Sequence, residues 1–149
     1  MPRADDVMTA NPITIPATAT LEEATRVMIH LAMRHLLVVD DDGRLLGIVS
    51  DRDLRGPTRA RTAPPAPSTP IADLMTRAVI TASPDEDIHA IAKLMLARSI
   101  GAVPIVDRAD HPIGIISYVD VLRRIVADRD PEDALDAMDR DELVAHPAK

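Results

Sequence analysis

The sequence predicts a mixed α/β (α+β) fold built from two copies of one β-α-β-β-α unit, and two observations lead to this prediction. The first is an internal repeat, in which Gly47-Ile48-Val49-Ser50 returns as Gly114-Ile115-Ile116-Ser117. The second is the order of apolar patterns within each copy. Short continuous apolar runs indicate buried strands, and apolar residues at helical spacing indicate an amphipathic helix.

The two copies keep a single register. Placing Met8-Thr9 on Met75-Thr76 shifts the chain by 67 residues (75 − 8). Without any insertion, the same shift aligns Ile13-Thr14 with Ile80-Thr81, Val39-Asp40 with Val106-Asp107, Ser50 with Ser117 and Asp53 with Asp120. Self-similarity at a fixed spacing indicates repeated structural units. We therefore expect a first repeat at 1–55, a linker at 56–70, a second repeat at 71–127 and an acidic C-terminal helix or tail at 128–149.

The elements of the first repeat follow from local signals. The segment 12–16 is apolar and has a proline at each end, which predicts a short edge strand. Thr20-x-x-Glu23 is a capping box that opens an amphipathic helix. The apolar runs 36–39 and 45–49 predict two strands joined by a turn at 40–43. The second repeat predicts the same order, with strands at 79–81, 103–106 and 113–116 and helices at 87–96 and from Tyr118.

The segments outside the repeats have a different composition. The interval 56–70 is rich in proline and arginine, which predicts a semi-extended linker with nothing to pack. Asp130-Pro131 is typical of a helix start, because proline suits the first helical position. The acidic helix expected there has a thin apolar stripe, which fits either against the repeats or against a neighbouring chain.

Composition limits the classes of function. A chain of 149 residues with 46% hydrophobic residues can bury one ordinary core or two half-cores that share a seam. The absence of cysteine excludes a disulfide framework and any cysteine-based zinc or nucleophilic site. The N-terminus lacks the apolar stretch of a signal peptide, and no run is long enough to cross a bilayer, so we expect a cytoplasmic protein without a membrane partner. The net charge of −7 disfavours nucleic acid as a partner.

The most informative local feature is the Ser-x-x-Asp corner that ends each copy of the repeated strand. Ser50 and Ser117 stand where a helix N-cap is expected, and Asp53 and Asp120 fall at the third helical position. A hydroxyl, a carboxylate and backbone N–H groups then lie side by side, which suits a phosphate and a ribose. The same residues also form an ordinary capping box, so a purely structural role stays open.

Taken together, these features resemble a tandem pair of CBS domains, the Bateman module. The resemblance rests on the repeated Met-Thr start, the Val-Val-Asp and Ile-Val-Asp strand ends, the Asp-Gly turn and the segment 47–54. It implies that the two units pack through their sheets around a pseudo-two-fold axis and leave two clefts. In this family such clefts often bind adenosine-containing ligands, and the modules commonly form dimers and regulate rather than catalyse.

The resemblance also implies roles at matching positions. The aspartates Asp53 and Asp120 would hold ribose hydroxyls, with Ser50 and Ser117 near the phosphates. A carboxylate suits this role, because each charge-assisted hydrogen bond contributes roughly 1.5–3 kcal/mol.

A difference between the repeats leads to a further hypothesis. Residues just before the second strand approach the phosphates in some family members, and here they are Arg34 and His35 in the first copy and Gly101 and Ala102 in the second. Because only the first copy offers cations, we expect the Asp53 cleft to bind a phosphorylated ligand better than the Asp120 cleft. The alternative is that Arg34 and His35 belong to a solvated helix end.

The base and one more cation complete the expected site. Tyr118 is the only aromatic residue, so the base is expected between backbone and the side chains of Ile13-Thr14 and Ile80-Thr81. Arg52 is expected either to reach a phosphate or to pair with a neighbouring aspartate.

Three classes of function follow. The favoured one is a regulatory module that binds AMP, ADP or ATP, with S-adenosylmethionine as an alternative ligand, and that forms a homodimer acting on an unidentified partner protein. The second is a ligand-free dimerisation or protein-interaction module. The third is an enzyme or metal-dependent factor that acts through the aspartate-rich corners. It is not expected, because the sequence has no Gly-rich phosphate loop, no Gly-x-Ser-x-Gly elbow and no His-Glu-x-x-His. No metal site is expected, since Asp40-Asp41-Asp42-Gly43 lacks the later ligands of a calcium loop.

Overall fold

The computed structural model describes residues 2–55 and 63–129 and contains two three-stranded sheets with associated helices. The helices are α1 (Ala4–Val7), α2 (Leu21–Leu31), α3 (Asp51–Arg55), α4 (Ile88–Arg98) and α5 (Tyr118–Arg129). The strands are β1 (Thr9–Ala10), β2 (Thr14–Pro16), β3 (His35–Val39), β4 (Leu45–Ser50), β5 (Ala102–Val106) and β6 (Pro112–Ser117). The predicted fold class and its two pseudo-symmetric repeats are confirmed.

Two helices, α2 and α4, begin directly after a residue whose side chain caps the helix N-terminus. Thr20 and Glu23 form the predicted capping box, in which the Glu23 N–H donates to the Thr20 hydroxyl at 3.2 Å and the Thr20 N–H donates to the Glu23 carboxylate at 3.1 Å. At the start of α4, the Asp87 carboxylate accepts the His89 N–H at 3.0 Å. These bonds satisfy backbone donors that have no partner within a helix.

The segment at the start of each repeat pairs with the sheet of the other repeat. The first sheet has the order β2-β3-β4 and the second the order β1-β6-β5, so β1, from the start of the chain, lies in the second sheet. Thr9 of β1 pairs with Ile115, and Thr76 pairs in the same way with Ile48. The hydrophobic cores follow this exchange, because Ala4 is buried in the second core and Ile71 in the first.

The two repeated glycines make this exchange possible. A Cβ atom at Gly47 would lie 2.7 Å from both the Thr76 carbonyl oxygen and the Met75 sulfur. A Cβ atom at Gly114 would collide with Met8. The repeated Met-Thr segments therefore cross the sheets at positions where only glycine leaves room.

The strand predicted at 79–81 is wrong. This part of the second repeat makes only an isolated parallel bridge, between Ala82 and Ile105. In the first repeat, the Leu37 N–H donates to the Ile13 carbonyl at 3.4 Å. The residue equivalent to Leu37 is Pro104, which has no N–H to donate, so the ladder of hydrogen bonds is shorter in the second repeat.

The expectation that nothing in 56–70 packs is also wrong for the part of the linker that the structure describes. The Thr69 carbonyl accepts the Leu21 N–H at 2.8 Å, and the Pro67 carbonyl accepts the Glu22 N–H at 3.0 Å. These donors belong to the first turn of α2 and need partners outside the helix. The acidic helix predicted from Asp130 lies outside the described residues.

Candidate functional site

The first Ser-x-x-Asp corner joins β4 to α3 and has the predicted capping geometry. The Asp53 N–H donates to the Ser50 hydroxyl at 3.1 Å, and the Ser50 N–H donates to Asp53 Oδ2 at 2.8 Å. The Asp51 N–H donates to the Arg34 carbonyl at 2.9 Å. Two of the N–H groups at the start of α3 are therefore engaged within the protein, and the corner offers mainly side-chain groups to a ligand.

The second corner joins β6 to α5, and its carboxylate is buried. Asp120 Oδ2 accepts the Ser117 N–H at 2.8 Å and the Ser117 hydroxyl at 3.1 Å. Thr9, which comes from the start of the chain, has its hydroxyl 3.3 Å from Asp120 Oδ1. Asp120 is 9% exposed and is buried as a charged residue, so these bonds offset the loss of its hydration.

A cleft of about 290 Å³ opens beside Asp53, close to the lower end of the range of roughly 300–1,000 Å³ that is usual for ligand pockets. Its wall is formed by both repeats. The residues that line it are His35, Ile48, Ser50, Arg52, Asp53, Thr76, Ala78, Val79, Ile80, Ile100, Gly101 and Ala102. Aliphatic side chains therefore face a carboxylate, a hydroxyl, an imidazole and a guanidinium across one space.

His35 contributes an imidazole with a lowered pKa to this cleft. Burial lowers the pKa of its imidazole below the ordinary value of 6.5, while the negative charges of Asp51 and Asp53 oppose this change. The nearby Arg34 also disfavours protonation and lowers the same pKa. At neutral pH the permanent cation of the cleft is therefore Arg52, whose side chain is exposed.

The structure brings together seven of the predicted ligand contacts in this one cleft, namely Ser50, Arg52, Asp53, His35, Ile80, Gly101 and Ala102. The other six lie elsewhere. Ser117 and Asp120 form the second corner, Ile13 is 38% exposed, and Thr14 lies in β2. Thr81 lines a separate cavity of about 450 Å³. Arg34 is exposed and is not among the residues that line the Asp53 cleft.

One assumption about the two clefts is corrected. The hypothesis of unequal clefts placed Gly101 and Ala102 with Asp120, whereas both residues line the cleft of Asp53. The physical reason is that the cleft lies between the repeats, so the start of β5 faces the corner of the first repeat. Residues at the start of β3 and at the start of β5 thus both line the Asp53 cleft.

Two threonines were missed as site residues. Thr76 lines the Asp53 cleft and Thr9 contacts Asp120. Both belong to the repeated Met-Thr pair, whose only predicted role was to mark the register of the repeat. Their duplication together with Ser-x-x-Asp was the available signal.

The two pseudo-symmetric repeats define a tandem α/β module, and comparison with known families is consistent with this architecture. Residues 4–56 and 71–127 match the family model of the CBS domain. The chain therefore belongs to the CBS domain family and contains a tandem pair of these domains.

Relatives and solved structures place the pair in context. The chain is 41% identical over 120 residues to a homoserine O-acetyltransferase of Methanococcoides burtonii, a match that covers 80% of this chain and 23% of that protein. It spans about a quarter of the length of the curated relatives that it matches. The CBS domain pair of protein MJ0100, solved with 5′-methylthioadenosine and S-adenosyl-L-methionine, is 31% identical with a TM-score of 0.72, covering 83% of this chain and 94% of that one. The cytosolic domain of the Mg²⁺ channel MgtE, solved with ATP, is 29% identical with a TM-score of 0.70, covering 81% and 48%.

Metal-binding clusters and membrane-spanning helices are both absent from the part of the chain that the structure describes. Within 2–55 and 63–129, no group of three or more histidine or acidic side chains is arranged to hold a metal ion. No helix in these same ranges has the length and apolar character needed to cross a membrane.

Proposed function

We propose that this CBS domain pair is a regulatory module, without catalysis of its own, that binds an adenosine-containing ligand of the AMP, ADP or ATP class in the Asp53 cleft. One observation carries the proposal. A single cleft combines the Asp53 carboxylate and Ser50 hydroxyl of one repeat with an apolar wall from the other. The cleft therefore offers a group of suitable chemistry to a ribose, to a phosphate and to a base. S-adenosylmethionine is the alternative ligand.

The roles of the residues follow from their chemistry. The Asp53 carboxylate lines the cleft, and a carboxylate accepts hydrogen bonds at both oxygens, which is the chemistry that ribose hydroxyls require. Ile48 and Ile80 offer aliphatic surface to the base. Arg52 suits the phosphate, because a guanidinium donates to phosphate oxygens in a bidentate manner. The ligands of the MJ0100 pair and of the MgtE domain, both above 25% identity, support an adenosine compound.

A ligand in this position can act as a signal because both repeats contribute to the wall. Occupation of the cleft stabilises the arrangement in which Ser50 and Gly101 face the same space. A shift in the packing of the repeats, or in the shape of a dimer, then requires that the ligand bind two arrangements with different affinity. The regulated partner would respond to that change in packing or shape.

Thermal unfolding with a panel of ligands tests the proposal. The purified chain is melted with AMP, ADP, ATP, S-adenosylmethionine and inorganic phosphate, beside Asp53→Ala. A ligand at about a hundred times its dissociation constant stabilises the fold by roughly 2.7 kcal/mol, which raises the midpoint by several degrees. We expect an adenosine ligand to raise the midpoint of the wild type and to have little effect on Asp53→Ala. A cooperative melt that no adenosine compound shifts would contradict the proposal.

The second candidate, a dimerisation module, is favoured by the exposed apolar face of α5. Val119, Leu122 and Ile125 are 51%, 60% and 56% exposed. Burial of apolar surface drives association, and a second copy is the occupant we propose. Sedimentation velocity tests this, with a dimer expected for the wild type and a folded monomer for Leu122→Glu. A monomeric wild type would exclude the homodimer, and dimerisation without any nucleotide-induced stabilisation would favour the ligand-free module.

A further inference from the structure

The apolar residues of α5 lie on the side of the helix that faces away from the core. Val119, Leu122, Ile125 and Val126 share one face at helical spacing, and all four side chains are exposed. Asp120, on the opposite side of the helix, is buried. A surface helix normally turns its apolar face inward. In the part of the chain that the structure describes, these four residues, the α5 stripe, therefore form an apolar ridge open to a partner.

The first repeat offers an apolar groove between α2 and α3. The groove has a volume of about 290 Å³, and Met28, Met33 and Leu54 contribute to its wall. Ile29 also lines it and is 77% exposed. Methionine side chains adapt their shape to an apolar partner. This α2–α3 groove is thus suited to receive the ridge of a helix.

The charges of the helices indicate which surface of a second copy meets the α5 stripe. The helices α4 and α5 together carry five cations and two carboxylates, and one of these carboxylates, Asp120, is buried. The five cations are Lys93, Arg98, Arg123, Arg124 and Arg129. The helices α2 and α3 carry three arginines and four carboxylates. Contact between two copies of the second repeat would bring like charges together, whereas contact between unlike repeats brings the basic helices to a surface with more carboxylates than cations.

We propose that the α5 stripe of one copy packs into the α2–α3 groove of a second copy, so that unlike repeats meet. This inference rests on the homodimer of the second candidate function and specifies which surfaces of the two copies are in contact. In a dimer with two-fold symmetry the contact occurs twice, once in each direction, so the assembly closes and both stripes are covered. Leu122 then lies against Ile29 of the second copy.

Chemical cross-linking tests the pairing directly, because the chain has no native cysteine. Ile29→Cys and Leu122→Cys, distinguished by an affinity tag on one of them, are treated with a short bis-maleimide separately and as a mixture that has been allowed to exchange subunits. We expect roughly tenfold more cross-linked dimer in the mixture than in either variant alone, because unlike pairing brings the two different cysteines together. The control mixture is Arg108→Cys with Leu122→Cys, in which the first cysteine lies in the exposed turn between β5 and β6 and reports random collision.

A charged substitution in the groove gives a second measurement. Each dimer contains the contact of Ile29 with the α5 stripe twice, so Ile29→Glu places two carboxylates in apolar surroundings. We expect Ile29→Glu to sediment as a folded monomer, as Leu122→Glu does. Circular dichroism of each variant shows whether the loss of the dimer reflects unfolding.

The outcomes separate this inference from the homodimer on which it rests. If Leu122→Cys cross-links with itself at least as well as in the mixture, like repeats meet, and the inference is overturned while the homodimer stands. A mixture that gives no more product than the Arg108→Cys control overturns it too, as does a dimeric Ile29→Glu. A monomeric wild type overturns both the inference and the homodimer.

Discussion

At the scale of single residues, two copies of the same motif have different surroundings. Asp53 and Asp120 both accept the N–H of the serine three residues before them, at 2.8 Å. Asp120 is buried and lies close to the Thr9 hydroxyl, and Asp53 is half-buried. The two copies of the motif thus differ in burial, which depends on residues distant in sequence and is not revealed by the local pattern.

His35 makes the stability of the fold depend on pH. Burial lowers the pKa of its imidazole below 6.5, so the unfolded chain binds a proton there more readily than the folded protein does. Its contribution to stability is therefore complete above about pH 6.5 and is lost as the pH falls through the lowered value. We expect the free energy of unfolding, measured with urea at pH 7.5, 6.5 and 5.5, to decrease with falling pH, and to decrease less in His35→Asn.

The acidic groups with shifted pKa do not interfere with this measurement. The carboxyls of Asp5, Asp85 and Asp107 have pKa values below the ordinary 3.8, and each is held there by a hydrogen bond from a neighbouring group. Their contributions are lost only in more acidic solution. Parallel pH profiles for the wild type and His35→Asn between pH 7.5 and 5.5 would contradict the role given to His35.

At the scale of elements, the glycine of each repeated strand sets how closely the Met-Thr segment approaches. Gly47→Ala places a methyl group 2.7 Å from the Thr76 carbonyl oxygen, and this backbone atom is held by the pairing of Thr76 with Ile48. We expect a loss of roughly 1–3 kcal/mol in the free energy of unfolding, measured by urea denaturation.

Gly101→Ala is the matched control for this substitution. A Cβ atom at Gly101 would lie 3.6 Å from the Tyr118 ring, which is an ordinary contact distance. We expect a change well below that of Gly47→Ala. Equal losses in the two variants would show that the close approach at Gly47 does not limit the packing of the sheets.

Most elements followed from the sequence because their signals are local. The capping box at Thr20 and Glu23, the two hairpins and the start of α5 at Tyr118 depend on residues within one or two turns of chain. The prediction of a strand at 79–81 was wrong because the ladder of hydrogen bonds there depends on Pro104, more than twenty residues later in the sequence. The prediction that the linker does not pack was wrong for a related reason, because the N–H groups that donate to its carbonyls belong to α2.

At the scale of the whole molecule, segments of each repeat pack into the core of the other, and both repeats line the Asp53 cleft. The resemblance to CBS domain pairs implied two clefts, and the repeated motifs marked the corners, so that seven of the twelve residues that line the Asp53 cleft were predicted. The sequence did not predict which wall faces which corner, because the exchange of the Met-Thr segments is a long-range property of the fold. As a result Gly101 and Ala102 were assigned to Asp120, although they line the cleft of Asp53.

The central claim is that both repeats bind one adenosine ligand in the Asp53 cleft, and a nuclear magnetic resonance titration with AMP and with ATP tests it most directly. We expect the amide signals of Ser50 and Asp53 to shift together with those of Ile80 and Gly101, all with one dissociation constant, and these shifts to disappear in Asp53→Ala. Shifts confined to one repeat, shifts that persist in Asp53→Ala, or no shifts with either nucleotide would contradict the claim.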